Sequence, residues 1–161
     1  MTNSPFHVIR LGRPEESSEI AAVLHAAFAE QRGRIQPESA ALSESSGSIA
    51  ARFLDHGIAV ADQAGRLVGC VFYQHQGDEI YLGRLATLPE CRGQGIASAL
   101  LDHVEAHARG SGAARIALGV RVALTDNQRF FESRGYREVG RNAHAGFTEP
   151  TSIRYEKSIR A

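Results

Sequence analysis

Apolar positions along the chain change their period several times, and each change marks an element. Phe6, Val8 and Leu11 punctuate a short opening segment, Phe6 to Leu11, that reads as a strand ended by Gly12 and Pro14. Ile20, Val23, Leu24 and Phe28 then recur at helical spacing behind Glu15, Glu16 and Glu19, whose charges favour the positive end of a helix dipole. The polar stretch Glu30 to Gly47 reads as a loop, followed by a short second helix over Ser48 to Leu54. From Gly57 the period moves towards two. Ile58 to Asp62, Leu67 to His75 and Ile80 to Leu88, separated by Gln63-Ala64-Gly65 and Gln76-Gly77-Asp78, predict an antiparallel meander. Beyond Gly95, the residues Ile96, Leu100, Val104 and Ala108 stand four apart with Leu101 beside them, the stripe of a helix that stops near Gly110 to Gly112. A strand over Ala114 to Val120 follows. Thr125 and Gln128 make the T-x-x-Q pattern of a capping box, which predicts a helix from Thr125 to Gly135, then strands near Tyr136 to Arg141 and Ser152 to Lys157. There is no internal repeat and no low-complexity tract.

Length and composition narrow the function classes. A chain of 161 residues fits a single domain over 1–161, and 43% hydrophobic with 22% charged residues is the make-up of an ordinary packed core. Lys plus Arg equals Asp plus Glu at 18 each, so no global field gathers nucleic acid or an anionic membrane, and any anion must be held locally. Cys70 and Cys91 are too few for a disulfide framework and lack metal-ligand spacing, which fits a reducing compartment. Met1 to Arg10 has no charged n-region followed by an apolar h-region, and no apolar run reaches the ~18 to 20 residues of a membrane span. The expectation is a cytoplasmic protein with no metal, nucleic-acid or membrane partner. His103 and His107 have the i, i+4 spacing that can chelate zinc, but without an H-E-x-x-H glutamate or a nearby third ligand they read as two exposed histidines.

The segment Leu85-Ala86-Thr87-Leu88-Pro89-Glu90-Cys91-Arg92-Gly93-Gln94-Gly95-Ile96-Ala97 carries the most information. A strand ends, a proline turns the chain, and a glycine-bearing loop opens a helix. Glycines let backbone approach a phosphate, and the first helical N–H groups lack an intrahelical acceptor while the dipole's positive end points the same way. Arg92 adds a full charge and Ser98 a hydroxyl. A plain strand-to-helix turn would also use glycines here. Two other phosphate sites fail on residues: the Gly-Lys-Ser/Thr ending of a P-loop is absent, as are the three glycines and distal acid of a dinucleotide fingerprint.

The pattern R-x-x-G-x-A of Arg92, Gly95 and Ala97 matches the Q/R-x-x-G-x-G/A acetyl-CoA signature of the GNAT acetyltransferases, and the chain resembles that family over roughly residues 6 to 158. The Leu-Pro turn, the long helix, the strand Ala114 to Val120 and the segment Phe130-Phe131-Glu132-Ser133-Arg134-Gly135-Tyr136 stand in family order. The resemblance implies an α/β GNAT fold. Its sheet is mixed, mostly antiparallel and twisted, with about seven strands flanked by helices, and its central strands splay at a bulge where the cofactor lies. It further implies acetyl-CoA as cosubstrate. The backbone N–H groups of Arg92, Gly93, Gln94, Gly95, Ile96 and Ala97 would hold its pyrophosphate, with Ser98 beside them. The edge of Leu85, Ala86 and Thr87 would pair with its pantetheine arm, and Asn127 and Phe131 would line it. One residue departs from the pattern: many relatives carry, where Phe131 stands, a tyrosine that protonates the departing sulfur. Tyr136 falls on a structural aromatic position and does not replace it. A thiol of ordinary pKa ~8.5 leaves tolerably as thiolate, so its loss need not abolish transfer.

An attacking amine of pKa ~10, if lysine-like, must lose a proton before it attacks a thioester, so a base is needed. Glu79, heading the strand into the cofactor loop, is the first candidate, and Tyr81 shares its face by alternation; Glu79 reads equally as a solvated residue beside the Gly77-Asp78 turn. Arg84 falls on the opposite face unless a bulge re-aims it, and reads either as a contact to an acceptor carboxylate or as surface. His144, in the loop between the last strands, reads as an acceptor contact, an alternative base or a plain loop histidine. Cys91 has no sequence partner for catalysis and reads as packing. A backbone N–H near Ala86 or Thr87 could meet the oxyanion. The implied reaction is direct transfer of an acetyl group to a primary amine of a small molecule or peptide. A CoA-binding sensor without activity is the second reading, and a GNAT-like fold with a merely structural glycine loop the third. Pairing of two such domains into a homodimer through exposed strand edges is a further expectation.

Overall fold

A computed structural model describes residues 6–160 of the chain. Residues 1–5 and 161 lie outside that description, so the opening segment is seen only from Phe6 onward. Its strand is shorter than the apolar pattern predicts: β1 spans Val8–Leu11, and the Phe6 side chain is 83% exposed before it. A turn of 3₁₀ helix, Pro14–Glu16, leads into α1, Ser17–Phe28. The short second helix, α2, covers Ser46–Arg52, two residues earlier than its apolar residues suggest. Ser45 and Ser48 cap it reciprocally, each side chain bonded to the other's backbone N–H.

The meander is β2 (Gly57–Gln63), β3 (Arg66–Gln76) and β4 (Glu79–Thr87). Ala64 and Gly65, at φ 54° and 87°, form the two-residue turn of positive φ that matches strand twist. Gly77, at φ 64°, supplies it at the next hairpin. The helix α3 (Ile96–Ser111) then crosses to β5 (Arg115–Arg121), α4 (Thr125–Ser133) follows, and β6 (Arg137–Asn142) and β7 (Ser152–Ser158) close the chain. The seven strands make one sheet in the order β1-β2-β3-β4-β5-β7-β6. Every pairing is antiparallel except β4 with β5.

The core is built on β3. Gly69, Tyr73 and His75, alternate residues of one face, meet α3: a Cβ at Gly69 would lie 2.9 Å from Ile96, and the Tyr73 and His75 rings touch those of His103 and His107. Val68, Cys70 and Phe72 are buried on the other face, where α1 is the other helix packed on this strand. The stripe Ile96, Leu100, Leu101, Val104 and Ala108 is buried as its spacing predicts, and α3 stops at Gly112 in the left-handed conformation.

Two local expectations are corrected. Thr125 does not cap α4: Leu124 precedes the helix and no side chain among the described residues caps it. Gln128 instead turns its amide onto the carbonyls of Arg121 and Val122, at 3.1 and 2.8 Å, because the end of β5 presents unpaired acceptors there. His103 and His107 are not free on the surface. They are partly buried, His103 Nε2 lies 3.2 Å from the Tyr73 hydroxyl, and His107 Nε2 lies 2.9 Å from His75 Nε2. The i, i+4 spacing therefore serves ring packing on β3.

Candidate functional site

The sheet opens between β4 and β5. Their pairing covers only Glu79 to Tyr81 against Arg115 to Ala117, after which the strands diverge and the β5-facing edge of β4 has no strand partner. A bulge in β4 causes the divergence. Cys70 pairs with Ala86 but Phe72 with Gly83, so Arg84 and Leu85 together oppose Val71, and Arg84 adopts φ 53°. The Cys70 thiol, 3.7 Å from the Arg84 carbonyl, donates to this displaced group. Burial pushes that thiol up to about 12, so it stays protonated and able to donate.

Two cavities fill the gap. The larger, about 440 Å³, lies between the end of α1, the end of β4, the start of α3 and α4. Leu85, Ala86, Thr87, Arg92, Ala97, Asn127 and Phe131, all singled out in the sequence, line it. The Thr87 hydroxyl is buried there without a partner among the described residues. Gly93 and Gly95, at φ 79° and 78°, shape the turn, and Gly95 is the residue before α3. No side chain among the described residues caps α3, so the N–H groups of Ile96, Ala97 and Ser98 are available to an anion. The Ile96 side chain points into the core, and Gln94 bonds Gln63 at 3.1 Å, so these two can serve the loop only through backbone. Arg92 reaches across the mouth to the Glu30 carboxylate and, at 3.2 Å, to the Ala27 carbonyl.

The smaller cavity, about 300 Å³, adjoins the first: Phe28, Gln31, Leu85, Leu124, Asn127 and Phe131 line both. Phe131 stands at that junction, 7% exposed, its ring edge-on to Phe130 and Tyr136 at 5.1 and 5.6 Å. Tyr81, Arg84, Arg121 and His144 line the smaller of the two and not the larger. Arg84 Nε and Arg121 Nη1 are buried without partners among the described residues. His144 Nδ1 and its backbone N–H both meet the Thr151 hydroxyl, itself 3.5 Å from the Asn142 carbonyl. When Thr151 gives its proton to that carbonyl, Nδ1 carries the ring hydrogen and Nε2 is left with a lone pair. Burial, with the charge of Arg121, holds His144 below the usual histidine value, which keeps the ring neutral at pH 7.

Glu79 lies elsewhere. It is buried and clamped, with Arg154 Nη2 at 2.8 and 3.0 Å and Arg115 Nε at 3.1 Å, and it lines neither cavity. Cys91 is buried beside the loop. Nothing local in the sequence marks Arg121, which reaches the site only because β5 runs alongside β4, or Glu30, which reaches it from the end of α1. Among the described residues no group of three or more His, Cys, Asp or Glu is placed to hold a metal, and no helix is long and apolar enough to cross a membrane.

Residues 21–136 match the family model described as Acetyltransferase (GNAT) family. A search of curated protein sequences finds no match. Among solved structures, the ribosomal-protein-S18-alanine N-acetyltransferase from Escherichia coli superposes with a TM-score of 0.79 at 21% identity, over 97% of this chain and 96% of that one. The PaiA N-acetyltransferase from Thermoplasma acidophilum, in complex with coenzyme A, superposes with a TM-score of 0.80 at 18% identity, over 95% and 99%. A GCN5-related N-acetyltransferase from Rhodopseudomonas palustris gives 0.76 at 23% identity, over 98% of both chains. At these identities the superpositions establish a shared fold.

Proposed function

The chain belongs to the GNAT acetyltransferase family, and we propose from that premise that it transfers the acetyl group of acetyl-CoA directly to a primary amine bound in the smaller cavity. The observation that carries the reading is the junction of the two cavities at Phe131 and Leu85. It lets a long cosubstrate in one meet an amine in the other without either leaving its site.

Acetyl-CoA supplies the acetyl group as a thioester, whose carbonyl carbon the amine nitrogen attacks as the carbon–sulfur bond breaks and CoA departs as thiolate. The residues of the larger cavity fit such a ligand on three counts. The uncapped N–H groups of Ile96 to Ser98 and the charge of Arg92 suit a pyrophosphate. The open edge of β4 offers backbone groups to an extended amide-bearing arm. The turn through Gly93 and Gly95 keeps the loop backbone bare, with nothing within 4 Å of where either Cβ would stand.

For the base, His144 Nε2 is a group of the cavity lining able to take a proton from the amine, and Tyr81 lines the same cavity. Glu79, held between two guanidiniums, acts on the site by anchoring β4 to β5 and β7 where they are still paired. The nonpolar Phe131 ring leaves the thiolate to be protonated by solvent. No helix among the described residues is of membrane-spanning length, and a cytoplasmic setting supplies both acetyl-CoA and reduced cysteines.

The test is calorimetric titration with acetyl-CoA of the protein and of an Arg92→Ala, Gly95→Asp double variant, beside thiol release with a panel of amines. Micromolar binding lost in the variant is expected. His144→Gln should lower kcat by about a hundredfold, the usual scale of a lost general base, with acetyl-CoA affinity kept. An intact protein that binds no acetyl-CoA would sink the reading. One that binds it but acetylates no amine would favour a CoA sensor.

A further inference from the structure

We propose that the smaller cavity grips a carboxylate on the acceptor, so that the acetylated nitrogen belongs to an amino acid or an amino-acid-like acid. This rests on the acetyltransferase reading above and specifies the substrate class of the same site.

Arg84 and Arg121 come from the two strands that part company. β4 and β5 are last paired at Tyr81 and Ala117, and the arginines follow on the diverging walls beyond that point. Each has a buried nitrogen, Nε of Arg84 and Nη1 of Arg121, with no hydrogen-bond partner among the described residues. A buried guanidinium donor without an acceptor is costly, and two guanidiniums that each carry one and line the same cavity suit an anion that supplies several lone pairs to their reachable N–H groups. The protein's own carboxylates do not meet that need. Glu44, the nearest, lies 3.5 Å from Arg84 Nη2 and already accepts from Arg52 at 2.7 and 3.0 Å and from Ser48 at 3.0 Å. Among the described residues Arg121 finds the neutral carbonyl of Glu38, at 3.4 Å, and no carboxylate. Among the described residues no Asp or Glu lines the cavity.

The backbone points the same way. The bulge gives φ 53° to Arg84, although Gly83 beside it would take that conformation without strain. The bulge thereby aims a guanidinium, the planar fork that matches a carboxylate, into the gap. At about 300 Å³ the cavity holds a small molecule. The arginines and the junction residues Leu85 and Phe131 line this one cavity, so a small acceptor can put its acid at the former and its amine at the latter. A peptide N-terminus would bring a neutral amide to the same place, leaving Arg84 its long contact to Glu44 and Arg121 the Glu38 carbonyl among the described residues.

The experiment compares CoA release from acetyl-CoA with the standard L-amino acids and with their carboxamides. The expected result is that the preferred amino acid exceeds its own carboxamide in kcat/KM by at least about tenfold, the scale of a charge-assisted bond to a buried group. In Arg84→Gln and in Arg121→Gln that preference should collapse through KM, with acetyl-CoA affinity as the check that each variant is folded. Carboxamides used as well as the acids would overturn the proposal in favour of a peptide N-terminus. Should no amine of either set turn over, N-acetyl-amino acids and their amides are titrated into the protein with CoA present. Preference for the acids upholds the clamp, and equal or absent binding overturns it. Loss of acetyl-CoA binding by the unmodified protein would instead count against the acetyltransferase reading, and the same titration without CoA would then judge the clamp alone.

Discussion

Arg92 faces two claims on one guanidinium. In this structure it is held by the Glu30 carboxylate and the Ala27 carbonyl, whereas the proposed function asks it to meet a phosphate beside the uncapped start of α3. Both side chains are nearly half exposed, so the pair contributes no more than about 1 kcal/mol. Glu30→Gln should therefore tighten acetyl-CoA binding by about two- to fivefold in calorimetry at low salt, the gain shrinking as salt rises. Unchanged or weaker binding would mean that Glu30 orients Arg92 for the cosubstrate. At this scale the sequence offers candidates where residues of the proposed site are contiguous, as from Arg92 to Ser98. It is silent where they are not. Arg121 is one of many arginines until β5 lies beside β4, and Glu79 has the right position in the chain but two guanidiniums as neighbours.

The helix α3 and the strands beneath it set where that loop stands. Gly69 is the point of closest approach: a Cβ there would lie 2.9 Å from the Ala86 carbonyl oxygen, 2.9 Å from Ile96 Cγ2 and 3.2 Å from Leu100 Cδ1. Gly69→Ala should cost about 1 to 3 kcal/mol in urea unfolding and weaken acetyl-CoA binding, since relief requires α3 or the Ala86 segment to move. Unaltered affinity in the variant would mean that the loop is positioned independently of this contact. Periodicity placed nearly every element within two residues. It misassigned Thr125 and Gln128, because a T-x-x-Q pattern cannot reveal that carbonyls at the end of β5 need the glutamine more than the helix does.

Across the whole molecule, formal charge is balanced at neutral pH, and acid stability is decided by a few buried groups. Two bonds from Arg10, at 2.7 and 2.9 Å, hold Glu16 at about 2, while burial opposes them and the Arg13 N–H adds to them. A depressed carboxyl stabilises the fold above its ordinary value near 4.5 and loses that contribution as pH falls towards 2; here it is worth about 2 kcal/mol after solvent screening is allowed for. Burial lowers His103 and, with the neighbouring charges of His75 and His103, His107. These rings, faced by Tyr73 and His75 from β3, take up a proton less readily in the fold than in the unfolded chain. Their contribution is full above about 6.5 and declines as pH drops below it, because the unfolded chain protonates first. Stability measured by urea unfolding should thus fall in two windows, one beginning near 6.5 and one near 4.5. A His103→Gln, His107→Gln double variant should flatten the upper window and leave the lower. Persistence of the upper decline would assign it to other groups.

The sequence by itself determined what depends on neighbours along the chain: the alternation that makes β2 to β4, the stripe of α3, the glycine turns, and the anion-ready loop from Arg92 to Ser98. Each follows from local sterics, hydrogen bonding and the need to bury one face. Only the tertiary structure decided which side chains share a cavity. The bulge at Arg84, the parting of β4 from β5 after Tyr81, and the meeting of Arg84, Arg121 and His144 around one space come from strand register and sheet order. Those are set by the packing of the whole sheet against its helices.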